Sequence, residues 1–186
     1  MGSKSRIAKY IVPIIQRYID DNNITTYIEP FVGGANVIDK IKCKNKYGSD
    51  NCESLIELLK HVQAGHELLD TTYVTRQLFE RVRKNPNEDP LWAVGCVGFL
   101  ASYNGRGFIG GYARRGYEKT KTGSRYRDYY DEAKRKLLNQ AELDLFKDVH
   151  FSCKDYRYYR DNGTSGAVIY CDPPYQEIGR ASCRER

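Results

Sequence analysis

Apolar residues recur at helical spacing at the start of the chain, where Ile7, Ile11, Ile14, Ile15 and Tyr18 fall on one side of a predicted amphipathic helix. A short strand is expected around Tyr27, then a helix-like stretch from Asn36 to Ile41, a strand near Tyr47, and a helix from Asn51 to Ala64. Helices alternating with strands open an α/β sheet. From about residue 61 to 145 the pattern turns helical and then basic. Leu91 to Ala101 reads as a buried helix, residues 85–90 (Asn-Pro-Asn-Glu-Asp-Pro) read as a loop, and no clear strand appears until Val149. Val149 to Cys153 and Ala167 to Cys171 then read as strands, both expected beside the first. The second is apolar throughout, as a strand buried on both faces and flanked on both sides would be.

Charge changes this picture in one region. The 186 residues carry a formal charge of +6, and the stretch from Tyr103 to Lys136 holds ten Lys or Arg against four Asp or Glu, which is the same excess. It also holds six of the sixteen tyrosines and six glycines, so cations and aromatic rings alternate along it. Such a segment suits phosphate contact with stacking, and a solvated basic loop with a helical end is the plainer alternative. Six cysteines, at 43, 52, 96, 153, 171 and 183, form no Cys-x-x-Cys pair, and His61, His66 and His150 show no ligand spacing, so no metal site is expected. No apolar run has membrane length and no signal peptide is evident; reduced thiols in a cytoplasm, with no membrane partner, are the expectation.

The candidate chemistry lies at strand ends. Asp172, Pro173, Pro174 and Tyr175 follow the apolar run at 167–171, putting an acid, a rigid turn and an aromatic face where open α/β sheets bind ligands. Two prolines fix φ and remove N–H donors, leaving the carbonyls of Asp172 and Pro173 free to accept; an exocyclic amino group of a nucleobase offers the matching donors, with Tyr175 as stacking surface. A strand-ending turn with a surface tyrosine is the bland alternative. Earlier, Tyr27-Ile28-Glu29-Pro30-Phe31-Val32-Gly33-Gly34-Ala35 runs from strand into glycines, which let a ligand approach the backbone or merely form a turn.

Together these segments resemble the Dam-type DNA adenine-N6 methyltransferases over most of residues 2 to 175. Gly2-Ser3-Lys4 is similar to the family's opening Gly-Gly-Lys, with Ser3 in place of a glycine, and Phe31 to Ala35 resembles its glycine-rich cofactor loop. The resemblance implies S-adenosylmethionine as cofactor, held by Lys4, Phe31, Gly33, Gly34, Ala35, Asp50 at its ribose and Asp155 at its adenine. Asp50 also suits the cap of the helix that follows, and Asp155 a solvated loop acid. It implies Asp172, Pro173, Pro174 and Tyr175 as the catalytic set, and double-stranded DNA as partner. Asn104, Arg106, Arg114, Arg115, Lys119, Lys121 and Arg125 fall in the part corresponding to the family's DNA contacts. The implied reaction moves a methyl group to the N6 amino group of an adenine rotated out of the duplex, without a metal.

The expected fold is therefore α/β, a Rossmann-like methyltransferase sheet with a mainly helical inserted DNA-recognition subdomain. Residues 1–60 and 146–176 would form the cofactor-binding part, and 61–145 the insert. The family continues past Asp-Pro-Pro-Tyr, so the chain reads as truncated, with 177–186 as a non-native tail. Other readings are a methyltransferase acting on RNA or cytosine N4, a catalytically silent DNA-binding fragment and, last, a dinucleotide-using oxidoreductase.

Overall fold

Helix α1 (Ser5–Asp21) carries apolar residues on more than half its circumference, and the core takes only one side of it. Ala8 and Ile19 are buried, with Val12 and Ile15 packed beside them, whereas Ile7, Tyr10, Ile14 and Tyr18 form a second stripe that is 42%, 64%, 72% and 58% exposed. The expected inward face therefore divides: Ile15 packs, and Ile7, Ile14 and Tyr18 look outward. The structure, a computed structural model, describes residues 4–120 and 123–173.

Strands β1 (Thr26–Glu29), β2 (Asn45–Asp50), β5 (Val149–Cys153) and β6 (Ala167–Ile169) form one parallel sheet in the order β5-β2-β1-β6. Two expectations are corrected. Of the two late strands only β6 lies beside β1, since Val149–Cys153 pairs with β2. Nor is the last strand buried: it spans three residues, has one neighbour among the described residues, and leaves Ile169 37% exposed. The stretch from Asn36 to Ile41 makes a single 3₁₀ turn at Ile38–Lys40 rather than a longer helix.

Helix α2 (Glu53–Gln63) buries Leu55, Ile56, Leu58, Leu59 and Val62. Its cap is Cys52, with Asp50 two residues back accepting from the Cys52 N–H at 3.1 Å. Helix α3 (Arg76–Lys84) starts where Thr75 Oγ1 accepts from the Leu78 N–H. The apolar run 91–101 is a short α4 (Leu91–Gly95) continued by one π turn at Cys96–Leu100. α4 crosses α2 closely at Gly95, where a Cβ would stand 2.1 Å from the Ser54 carbonyl oxygen.

Beyond it the insert is not wholly helical. Strands β3 (Arg115–Thr120) and β4 (Gly123–Asp128) form an antiparallel hairpin that leads directly into α5 (Tyr129–Glu142). α6 (Arg157–Asp161) follows β5. The sheet and the insert share one core: Ile56, Leu59 and Phe151 belong to the same cluster as Phe79, Leu100, Tyr130 and Leu137. Pro174, Tyr175, Lys121 and the segment 177–186 lie outside the described residues.

Candidate active site

From β1 the chain steps to β2 and then β5 on one side, whereas β6 lies on the other side of β1, so the strand order reverses between β1 and β6. This is the switch point at which parallel sheets open a ligand crevice. Gly33, Asp50 and Asp155 gather on one side of that crevice, and Asp172 on the other.

β1 runs straight into the loop, and Gly33 takes a left-handed φ of 49°. That turn aims its N–H at Asp50 Oδ2, 3.3 Å away, at the end of β2. Burial raises the Asp50 carboxyl above its ordinary range, opposed by the N–H donors of Cys52, Gly33 and Asn51. Ala35, also left-handed at φ 53°, is fully buried. In the same loop the Phe31 ring meets Tyr156, just past β5, with centroids 5.5 Å apart. Asp155 stands beside that pair, and Arg157 grips both of its oxygens, at 2.8 and 2.9 Å. Those bonds hold its carboxyl down at about 2.

On the other side, Asp172 Oδ1 is 2.8 Å from the Lys4 ammonium, with both side chains about one-fifth exposed. Lys4, expected at the cofactor, thus reaches from the start of the chain to Asp172 near its end. Between the two sides sits Glu29, which is 3% exposed and accepts from the Tyr27 hydroxyl at 3.4 Å. Desolvation pushes its carboxyl up to about 8, and the charges of Asp39 and Asp172 push the same way. Glu29 was not among the expected site residues, although an acid immediately before Pro30 at a strand end was a readable signal. Tyr156 left no comparable trace, because only the fold brings it to Phe31.

A cavity of about 540 Å³ opens between the loop and the insert. Gly34 and Asn36 form one wall, Tyr103 and Asn104 another, and Arg127, Lys136 and Gln140 a third. Asn104 is exposed and left-handed at φ 54°, and Arg106 is exposed beside it. Arg115 is half-exposed and pairs with Asp128 at 3.2 Å. Lys119 and Arg125 lie on the hairpin strands, in register with Ser124 and Glu118. Arg114, expected among the DNA-contacting residues, is turned inward. It is 8% exposed, its Nη1 donates to the Val74 carbonyl at 3.1 Å, and its Nε lies 3.5 Å from Asp128. A guanidinium so enclosed fastens the hairpin's base rather than reaching outward. Among the described residues no cluster of three His, Cys, Asp or Glu side chains is placed to hold a metal, and no helix is long and apolar enough to cross a membrane.

The Type II methyltransferase M.MjaIII of Methanocaldococcus jannaschii is 26% identical over 210 residues, covering 97% of this chain and 69% of the relative. The DNA adenine methylases of Salmonella typhi and Escherichia coli (strain K12) are each 27% identical over 161 residues, covering 81% of this chain. The chain spans 56% of the length of those two enzymes. A model of the D12 class N6 adenine-specific DNA methyltransferases matches residues 1–182, and the chain belongs to that family.

Proposed function

We propose that this chain carries the cofactor-binding and base-accepting parts of an enzyme that transfers a methyl group from S-adenosylmethionine to the N6 amino group of adenine in duplex DNA. One observation carries the reading: the glycine loop, Asp50 and the Phe31–Tyr156 pair stand on one side of the crevice where the strand order reverses between β1 and β6, and Asp172 with Lys4 on the other.

The residues present fit the cofactor. A Cβ built on Gly33 would meet nothing nearer than the Phe31 carbonyl oxygen, 4.0 Å away, so the loop leaves space for a ligand against its backbone. Asp50 supplies carboxylate oxygens for ribose hydroxyls, and Phe31 with Tyr156 an aromatic wall for an adenine ring. Bound there, S-adenosylmethionine supplies a methyl group activated by a sulfonium centre.

The chain's own groups do the rest. Asp172 and the Pro173 carbonyl accept hydrogen bonds from the two N–H groups of the target amino group, turning its nitrogen lone pair towards the transferable carbon; the one proton the nitrogen sheds as the N–C bond forms leaves to solvent. Lys4 occupies one acceptor position of Asp172 and orients the carboxylate, which keeps further lone pairs for the base. Withdrawing an adenine from its stack costs a few kcal/mol, offset by the new hydrogen bonds and by stacking, a role that suits Tyr175. The hairpin and the loop around Asn104 contribute phosphate and groove contacts through Asn104, Arg106, Arg115, Lys119, Lys121 and Arg125.

The test is incubation with methyl-labelled S-adenosylmethionine and unmethylated duplex DNA, followed by digestion to nucleosides. Label in N6-methyladenine supports the proposal. Label in N4-methylcytosine instead overturns it, as does a folded chain that does not retain S-adenosylmethionine.

A further inference from the structure

The loop that follows β1 is not held by a helix of its own. Between Val32 and Asp39 it is almost wholly buried, yet it makes only one 3₁₀ turn. Two of its polar side chains, Asn36 and Asp39, are each 6% exposed and require partners. Part of the requirement is met locally. Lys40 reaches the Asp39 carboxylate at 2.6 Å and the Asn36 carbonyl at 3.0 Å, and the Asn36 amide donates to the Gly34 carbonyl at 3.1 Å. The rest comes from α5, far along the chain. Gln140, itself 6% exposed, donates to Asp39 Oδ2 at 2.6 Å, and the Lys136 ammonium donates to Asn36 Oδ1. Lys136 and Gln140 are four residues apart, so both stand on one face of the helix.

The other end of α5 belongs to the hairpin. Asp128, the last residue of β4, caps the helix by accepting from the Asp131 N–H at 3.2 Å, and it also pairs with Arg115 of β3. A continuous path runs from Arg115 through Asp128, along roughly 12 Å of helix at about 1.5 Å per residue, to Lys136, Asn36 and the carbonyl of Gly34. The cavity beside the loop is walled by Gly34, Asn36 and the inward face of α5.

We propose that Lys136 and Gln140 are positioning residues that tie the cofactor loop to the DNA-contacting hairpin, so that cofactor and duplex bind cooperatively. The inference rests on the functional reading above. Linkage then requires that DNA strengthen cofactor binding by the same factor by which cofactor strengthens DNA binding.

The experiment uses the full chain, S-adenosylhomocysteine as the non-reactive cofactor probe and fragmented unmethylated duplex DNA. The probe's Kd is measured with and without saturating DNA, and the DNA's Kd with and without probe. Wild type is expected to show the same ratio both ways, about five-fold or more. The double variant Lys136→Met with Gln140→Leu is expected to bind each ligand alone, with the ratio reduced to about one, while Lys136→Arg keeps it. Gln140→Leu alone supplies the comparison if the double variant does not fold; in it the ratio falls without vanishing. A merely structural role would lower the melting temperature and leave the ratio intact, which overturns the proposal, as does a wild-type ratio of one. Absence of saturable probe binding by folded wild type overturns the cofactor reading itself, and the coupling with it.

Discussion

Glu29 holds a proton at neutral pH because its place at the end of β1 strips it of water and sets it between Asp39 and Asp172. Its folded value, about 8, lies above the ordinary 4.5, so the folded state binds the proton more tightly. The resulting stability is full below about pH 4.5 and is lost as pH rises through about 8, up to roughly 5 kcal/mol in all. Asp50 is raised as well and adds the same sign. Glu29→Gln is therefore expected to flatten much of the decline, read as urea midpoints across this range. At Asp172 the expected effect is on chemistry. Asp172→Asn keeps the shape but replaces one acceptor oxygen with an NH₂ donor facing Lys4 and the amino group. Transfer should fall by about 100-fold or more, with S-adenosylmethionine affinity within about three-fold of wild type by calorimetry. Retained turnover would remove Asp172 from its assigned role.

Among the elements, α2 and α4 meet where Gly95 has no room for a side chain. Gly95→Ala would drive a methyl into the Ser54 carbonyl and is expected to cost about 1–3 kcal/mol, seen as a lower melting temperature. The run Leu91–Ala101 announced this buried element by its composition, but the π turn within it left no mark on the pattern. The hairpin was illegible for a different reason. Arg115–Thr120 and Gly123–Asp128 contain no apolar alternation, so nothing in period two distinguishes them from a charged loop. The site was legible wherever its residues sit in short runs at strand ends, as Phe31 to Ala35, Asp50 and Asp172 do. It was not legible across distance. The meeting of Lys4 with Asp172, of Tyr156 with Phe31, and of Gln140 with Asp39 depends on strand order and packing, which local sequence does not encode.

At the scale of the molecule, the net charge of +6 equals the excess within residues 103–136, which contain the hairpin beside the cavity. If that surface neutralises phosphates, affinity for duplex DNA falls steeply with salt. Replacing Arg115, Lys119 and Arg125 together with alanine is expected to reduce the slope of log K against log salt by about 2–3, at about 0.9 for each phosphate no longer neutralised. Fluorescence anisotropy over a salt series measures this; an unchanged slope would take the hairpin out of the interface. The interface between sheet and insert has its own reporter. The single tryptophan, Trp92, opens α4 and stacks on His61 of α2 with ring centroids 3.9 Å apart and planes 8° from parallel. Excitation at the indole band thus reads one crossing in the chain, without an added label. Its emission spectrum should shift when α2 and α4 separate, and comparing that signal with far-ultraviolet circular dichroism would reveal whether sheet and insert come apart in one step or two.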